Sequence, residues 1–295
     1  MSTTITVVLG LDMETDCGSW GIDYTGVTEG TPKILSLCRE KGINGTFFFT
    51  GEAAKLHPEV VQAIARSGHE VGCHSLYHET VGDPIFEIPG VKPLLVEEVP
   101  FRLQVATDWV AEALGRPPVS FRAPRLWGST AVCNALDSMG YVADASYPLY
   151  FYEKQLVPYH PSGDDWAEQG NLKLIEIPNF CDMTVESDDP YHRDRDQWPL
   201  FRTQSAEALM MHVDNFIGYV SERGLPVVLC FYFHPWEFMP MPTRMHYGEG
   251  AVEPDYFLVE NCGDYALEQF TLLVDRLKDR GARFTTAQQL AAEWA

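Results

Sequence analysis

Apolar residues along this chain follow two alternating patterns. Short β-branched or aromatic runs, TITVVLGLD (4–12), NGTFFFT (44–50) and HEVGC (69–73), read as buried strands. Between them the apolar positions recur at helical spacing, through ILSLCREKG to a stop at Gly42 and again through HPEVVQAIARSG (57–68). VEEVPFRLQVATDWVAEALG (96–115) predicts a long helix with Pro100 in its first turn, since proline disrupts a helix interior. VSFRAP (119–124), YVADAS (141–146), KLIEIP (173–178) and PVVLCFYFH (226–234) predict further strands. Helices are predicted over STAVCNALDSMG (129–140), with a serine cap, and over SAEALMMHVDNFIGYVSERG and DYALEQFTLLVDRLKDRG. ARFTTAQQLAAEWA closes the chain with a strand and a helix.

Strand and helix therefore alternate about seven times, which predicts a parallel sheet with crossover helices. Closed into a ring, that sheet is a barrel related to the eightfold one, and barrels of 295 residues occur as one domain, here 1–295. Two segments break the rhythm. Residues 147–203 and 235–262 are rich in Trp, Tyr, Pro and Asp and poor in helical periodicity. Loops of that length are usually functional, and they are expected over one end of the barrel.

Composition narrows the partners. Forty-two acidic against twenty-one basic side chains give a net charge of −21, which argues against nucleic acid or an anionic membrane. The seven cysteines are odd in number, scattered and without a C-x-x-C pair, as in a reduced intracellular protein. MSTTITVVLGLD has no basic stretch before its short apolar run, so no signal peptide is expected and the expected compartment is the cytoplasm.

Chemistry gathers where strands end, and in a parallel barrel those ends share one face. In LGLDMETD, Asp12 and Glu14 are two apart and so point the same way, with Asp16 as the next in the row. An acidic strand-to-loop turn would look the same. His74 and His78, in HSLYH, could reach one metal if the turn is helical, and the pattern fits two loop histidines equally well. With Glu14 or Asp16 the set becomes two histidines and a carboxylate, which leaves coordination positions open for water and substrate. Arg122 ends a strand and suits pairing with a buried carboxylate such as Asp12, while Arg125 and Trp127 fall at the cleft rim. His234 ends the apolar strand LCFYFH, a position that suits a core histidine as well as a catalyst. Asp144, in VADAS, is the carboxylate expected to orient and charge it.

Taken in order, LDME, HSLYH, RAP, DASYP and FHPWE resemble the motifs of the polysaccharide deacetylase family (carbohydrate esterase family four, NodB homology), in its cytoplasmic amidohydrolase-like branch. The resemblance runs from about residue 5 to 285. It implies a distorted (β/α)7 barrel and a divalent metal, Zn2+ with Co2+, Ni2+ or Mn2+ as alternatives. It makes Asp12 the general base, Glu14, His74 and His78 the metal ligands, and Arg122 the residue that orients the base. It makes His234 the general acid and Asp144 its partner. Arg125, Trp127, Tyr147 and Trp236 are the expected substrate-binding residues, and a small molecule or oligosaccharide the expected partner, with a homo-oligomer left open. One departure stands out: the family form has two adjacent aspartates, and here Met13 takes the second slot. The implied activity is hydrolysis of a non-peptide amide, first of all N-deacetylation of an acetylated amino sugar or saccharide conjugate. Ring opening of a cyclic imide or ureide, as by an allantoinase, is the alternative, and a non-catalytic saccharide-binding barrel is the alternative of another class.

Overall fold

The barrel is organised around its first strand. The computed structural model describes residues 4–295; residues 1–3, which open the N-terminal stretch read above, lie outside the described residues. Strand β1, Ile5–Met13, is buried along all of its length. Its side chains alternate between two layers, as strand geometry requires. Val7, Leu9, Leu11 and Met13 face the outer layer, with Ile34 and Ala53 of the surrounding helices. Val8 faces inward to Phe48, Ala143, Ile175 and Val228.

Strands β2 (Thr46–Phe49), β3 (Glu70–Cys73), β4 (Ser120–Phe121), β5 (Ala143–Asp144) and β6 (Ile175–Glu176) follow β1 in order, each parallel to the last. Strand β7 (Val227–Phe233) lies on the other edge of β1, pairing Ile5 with Val227 through to Leu11 with Phe233. The chain after β6 returns to β7 through one parallel bridge, Asn179 to Cys230, with Phe180 N donating to Cys230 O at 2.7 Å. The seven parallel strands are thereby curled into the distorted barrel that the alternation predicts. A separate hairpin, β8 (Met245–Tyr247) and β9 (Gly250–Val252), belongs to the second long segment. The last strand, β10 (Arg283–Thr285), pairs with the first half of β1. Helix Ala287–Trp294 then packs Leu290 and Ala291 against the inner cluster, at the end of the barrel away from the chemistry.

The predicted helices form, with their stops where the residues call for them. Helix Thr31–Lys41 ends at Gly42 in the left-handed region (φ 63°), and the Ser129 and Ser205 hydroxyls cap helices Thr130–Ser138 and Ala206–Ser221. Pro100 lies in the first turn of Val99–Leu114. Helix Gly51–Leu56, capped by Thr50, is too short to leave a periodic signal and was not expected.

Strands β4, β5 and β6 are much shorter than the apolar runs that predict them. Beyond the ladder, side chains satisfy the backbone instead. Ala123 N donates to Ser146 Oγ, Ala145 O accepts from Arg122 Nε, and Glu176 Oε1 accepts from the N–H groups of both Ser146 and Tyr147. The strand ends therefore splay, and that opens the mouth of the barrel. No helix among the described residues is long and apolar enough to cross a membrane.

Candidate active site

The mouth holds a cleft of about 760 Å³, lined at its base by Asp12, Glu14, His78 and His234. Both long segments reach it, through Tyr150, Arg193, Asp196 and Trp198 from one and Asp255, Phe257 and Leu258 from the other.

Asp12 continues the inward row of β1 and is 4% exposed. Its Oδ1 accepts from Nη1 of Arg122 at 2.9 Å. Arg122 is fully buried, lies over the Phe48 ring at 4.6 Å, and also donates to Ala145 O, Phe231 O and Asn179 Oδ1. Burial alone would lower the guanidinium's pKa, but the charge and hydrogen bond of Asp12, together with those of Cys230, raise it. The inward row also contains Gly10, and a Cβ there would fall 2.0 Å from Arg122 Nη1. Only glycine leaves room for that guanidinium beside the strand.

Glu14 follows Asp12 by two and shares its face, while Met13 turns outward into the helical layer. The departure from paired aspartates is thus accommodated by the pleat. Glu14 Oε2 lies 2.6 Å from His78 Nε2 and 3.3 Å from His74 Nε2, and Oε1 lies 3.8 Å from His234 Nε2. Burial pushes the Glu14 carboxyl up, but His78, His74 and His234 outweigh it and hold it well below the usual range. The two histidines are joined by a tight turn rather than a helical one: Ser75 and His78 are both left-handed (φ 66° and 61°). Glu79 ties this turn by accepting from Tyr77 N at 2.6 Å.

These residues fit a divalent cation. His74 Nδ1 faces the Arg122 carbonyl at 2.7 Å, which directs Nε2 into the site. His74 Nε2 and Glu14 Oε2 are buried 3.3 Å apart, with His78 Nε2 2.6 Å from the carboxylate oxygen, yet neither atom makes a well-aligned hydrogen bond. Orphaned buried donors and acceptors carry a desolvation penalty that a shared cation removes. Two imidazoles and a carboxylate, with ligand atoms within 4.8 Å of one another, are the donor set of an open zinc-type site. Asp16 takes no part, because its carboxylate accepts from the N–H groups of Thr25 and Gly26 at 3.0 and 2.7 Å.

The expected partner of His234 is not the observed one. Asp144 faces the barrel wall, where it is fully buried, bonded to the Ser146 hydroxyl and set beside Glu176 of the neighbouring strand. Burial raises Asp144 to about 6 and Glu176 well above its ordinary value. The Cys133 thiol beside them is pushed up as well by burial, so all three side chains hold their protons more tightly than exposed groups do. His234 Nδ1 pairs instead with Glu237 Oε1 at 3.0 Å. Burial disfavours the His234 imidazolium, but the Glu237 hydrogen bond and the charges of Glu14, Glu237 and Asp12 raise its pKa. Glu237 also accepts from Trp198 Nε1 at 3.0 Å and Arg202 Nε at 2.7 Å. FHPWE carried a signal for this, since a glutamate three past His234 can return to cap the turn, as Glu237 does by accepting from His234 N. Arg202, in an aperiodic segment, had none.

Of the expected substrate contacts, Arg125 and Trp236 line the cleft, with Trp236 stacked on His234 at 4.9 Å. Arg125 donates to His78 O and Thr80 Oγ1 from a left-handed backbone (φ 61°). Trp127 and Tyr147 do not reach the cleft. Trp127 is buried behind it, edge-on to Phe86, and Tyr147 packs among Tyr152, Tyr159 and Trp166.

Known proteins share parts of this sequence and its overall fold. The sequence profile of the polysaccharide deacetylase family matches residues 16–143. That match spans 128 of the 295 residues, less than half of the chain. It is 30% identical over 110 residues to chitin deacetylase 1 of Cryptococcus neoformans var. grubii, 37% of this chain and 21% of that one. It is 25% identical over 145 residues to a peptidoglycan-N-acetylglucosamine deacetylase of Bacillus cereus, 49% of this chain and 58% of that one. The chain thus spans less than two thirds of the length of these curated relatives. The fold is shared along the whole chain with a protein assigned as a polysaccharide deacetylase from Mycobacterium smegmatis (TM-score 0.63, 20% identity, 99% of this chain and 91% of that one). It is shared equally with Puue allantoinase (TM-score 0.64, 16% identity, 99% and 91%). A family 4 acetyl xylan esterase from Clostridium thermocellum, solved with a cobalt ion, is more distant in shape (TM-score 0.50, 14% identity, 98% and 91%).

Proposed function

We propose that this chain is a polysaccharide deacetylase family member and a metal-dependent hydrolase of a non-peptide amide, acting by N-deacetylation of an acetylated amino sugar or saccharide conjugate. The observation that carries this reading is the meeting, at one barrel mouth, of Asp12 on Arg122, the Glu14–His74–His78 trio, and His234 on Glu237. A divalent cation such as zinc, held by Glu14, His74 and His78, would polarise the amide carbonyl and acidify water. Arg122 occupies Oδ1 of Asp12, so Oδ2 is the acceptor for the proton of the attacking water. His234, protonated on Nε2 and held through Nδ1 by Glu237, gives its proton to the leaving nitrogen. Arg125 and Trp236 contact the substrate from the cleft walls.

Ring opening of a cyclic imide or ureide is the second reading. A cleft walled by residues 86–91, 193–198 and 255–258 suits a small substrate, and the chemistry of its base and acid is the same. The test is turnover of N-acetylglucosamine, short chitin oligomers, cyclic imides and ureides by the metal-loaded protein, with chelator and with metal restored. Chelator-sensitive hydrolysis of an acetylated sugar supports the first reading, and preference for the ring amides supports the second. Absence of any turnover across the panel, with saccharide still bound, overturns both in favour of a binding protein.

A further inference from the structure

Arg202 is fully buried and uses its guanidinium in two directions. Nε donates to Oε2 of Glu237 at 2.7 Å, and Oε1 of that carboxylate receives Nδ1 of His234 at 3.0 Å. Nη1 donates to the carbonyls of Phe257 and Glu260 at 2.9 and 2.7 Å, and Nη2 to that of Leu258 at 2.9 Å. Phe257 and Leu258 are part of the cleft wall. The Arg202 carbonyl in turn accepts from Asn261 Nδ2 at 3.0 Å, so the segment is tied from both sides. A planar fork of donors can hold four acceptors at once in fixed directions, which a lysine ammonium cannot.

We infer that Arg202 is a positioning residue that couples two parts of the site, holding the Glu237 carboxylate that orients His234 and the 257–260 segment that walls the cleft. The inference rests on the proposed function for the role of His234. Neither Arg202 nor Glu237 touches the reacting atoms; both act through their neighbours. The two arms of the guanidinium separate in their consequences. Glu237→Gln removes the charge that orients the imidazole and leaves the Nη contacts to 257–260 in place. Arg202→Lys keeps a cation beside Glu237 and gives up most of the carbonyl contacts.

The experiment compares the metal-loaded variants on an amide, N-acetylglucosamine, and on an aryl ester, 4-nitrophenyl acetate, whose phenolate leaves without a proton. Glu237→Gln is expected to lose roughly tenfold or more in kcat on the amide with little change on the ester, the lower end of acid catalysis. Arg202→Lys is expected to keep the wild-type amide-to-ester ratio while raising KM for both. Two readouts are independent of turnover. Hydrogen exchange at 256–262 is expected to quicken in Arg202→Lys and not in Glu237→Gln, and the hydrogen-bonded Nδ1 proton of His234 is expected in the NMR spectrum of wild type but not of Glu237→Gln. Unchanged exchange at 256–262 in Arg202→Lys, or an unchanged Nδ1 proton in Glu237→Gln, overturns the coupling. Absence of any metal-dependent turnover by the wild-type protein would instead overturn the hydrolytic reading and leave the exchange and NMR results to decide the coupling.

Discussion

Nη1 of Arg122 lies 2.9 Å from Oδ1 of Asp12, and the backbone two residues before that aspartate is bare. Gly10 is what allows the approach, because a Cβ there would overlap the guanidinium at 2.0 Å. A fully buried arginine beside a nearly buried aspartate is tolerated because every direction of the fork meets an acceptor. Gly10→Ala should therefore destabilise the protein by about 1–3 kcal/mol, the usual range for overpacking a core. Urea denaturation checks this, and the variant should also lose turnover, since Arg122 can move only by releasing Asp12.

Asp12→Asn keeps the size of the side chain and removes the proton acceptor. Metal content, measured by elemental analysis, should stay at the wild-type level, while turnover falls by roughly two or more orders of magnitude, the scale of general acid–base catalysis. Wild-type turnover in this variant would show that another group takes the proton.

Metal binding itself should depend on His74. Its Nδ1 is committed to the Arg122 carbonyl and only Nε2 is left for a cation. In His74→Ala, calorimetric titration with zinc should show affinity reduced by at least about 10-fold, as when even an outer partner of a ligand is lost. Full-affinity binding would remove His74 from the ligand set.

The wall cluster of Asp144 and Glu176 predicts a stability trend with pH. Burial raises both carboxyls above their values in the unfolded chain, Asp144 to about 6. Their contribution to stability is then fully present below the unfolded carboxyl range and is lost as pH rises through about 6 and beyond. Wild type should be less resistant to urea at pH 8 than at pH 5 on this account. Glu176→Gln retains an acceptor for Ser146 N and Tyr147 N and should flatten the trend. An equal slope in the variant would assign the trend to other groups.

Tyr147 offers a contrast within the aromatic residues. Packed behind the cleft, it should leave KM within about twofold of wild type when changed to phenylalanine, since its hydroxyl meets backbone N–H groups such as that of Gln155, at 3.4 Å, and does not line the cleft. Trp236→Ala, which strips the ring stacked on His234, should change both KM and kcat.

Much of the fold and part of the site were legible along the chain. The apolar run of β1 and the i, i+2 spacing of Asp12 and Glu14 required both carboxylates on one face, and the pleat also explains why Met13 could be skipped. HSLYH and RAP marked strand ends, and parallel strands bring their ends together whatever their distance in sequence. The left-handed turn between the histidines was not legible, because positive φ is uncommon for any residue but glycine, and serine gives no sign of it.

Periodicity and motif order were sufficient for the parallel barrel, for Asp12, Glu14, His74, His78, Arg122 and His234 at its mouth, and for two long segments above it. Partner choice was left to the tertiary structure. Asp144 ends a strand and was the partner expected for His234, yet it lies on the outer face of β5, opposite the inward-facing Ala143, and meets Glu176 in the wall. The turn after β7 folds Glu237 back beneath His234, and Arg202, from a segment with no pattern of its own, fixes it there. Strand and helix periods are local properties of the chain, whereas which carboxylate meets which imidazole depends on strand register and on how loops close over the barrel.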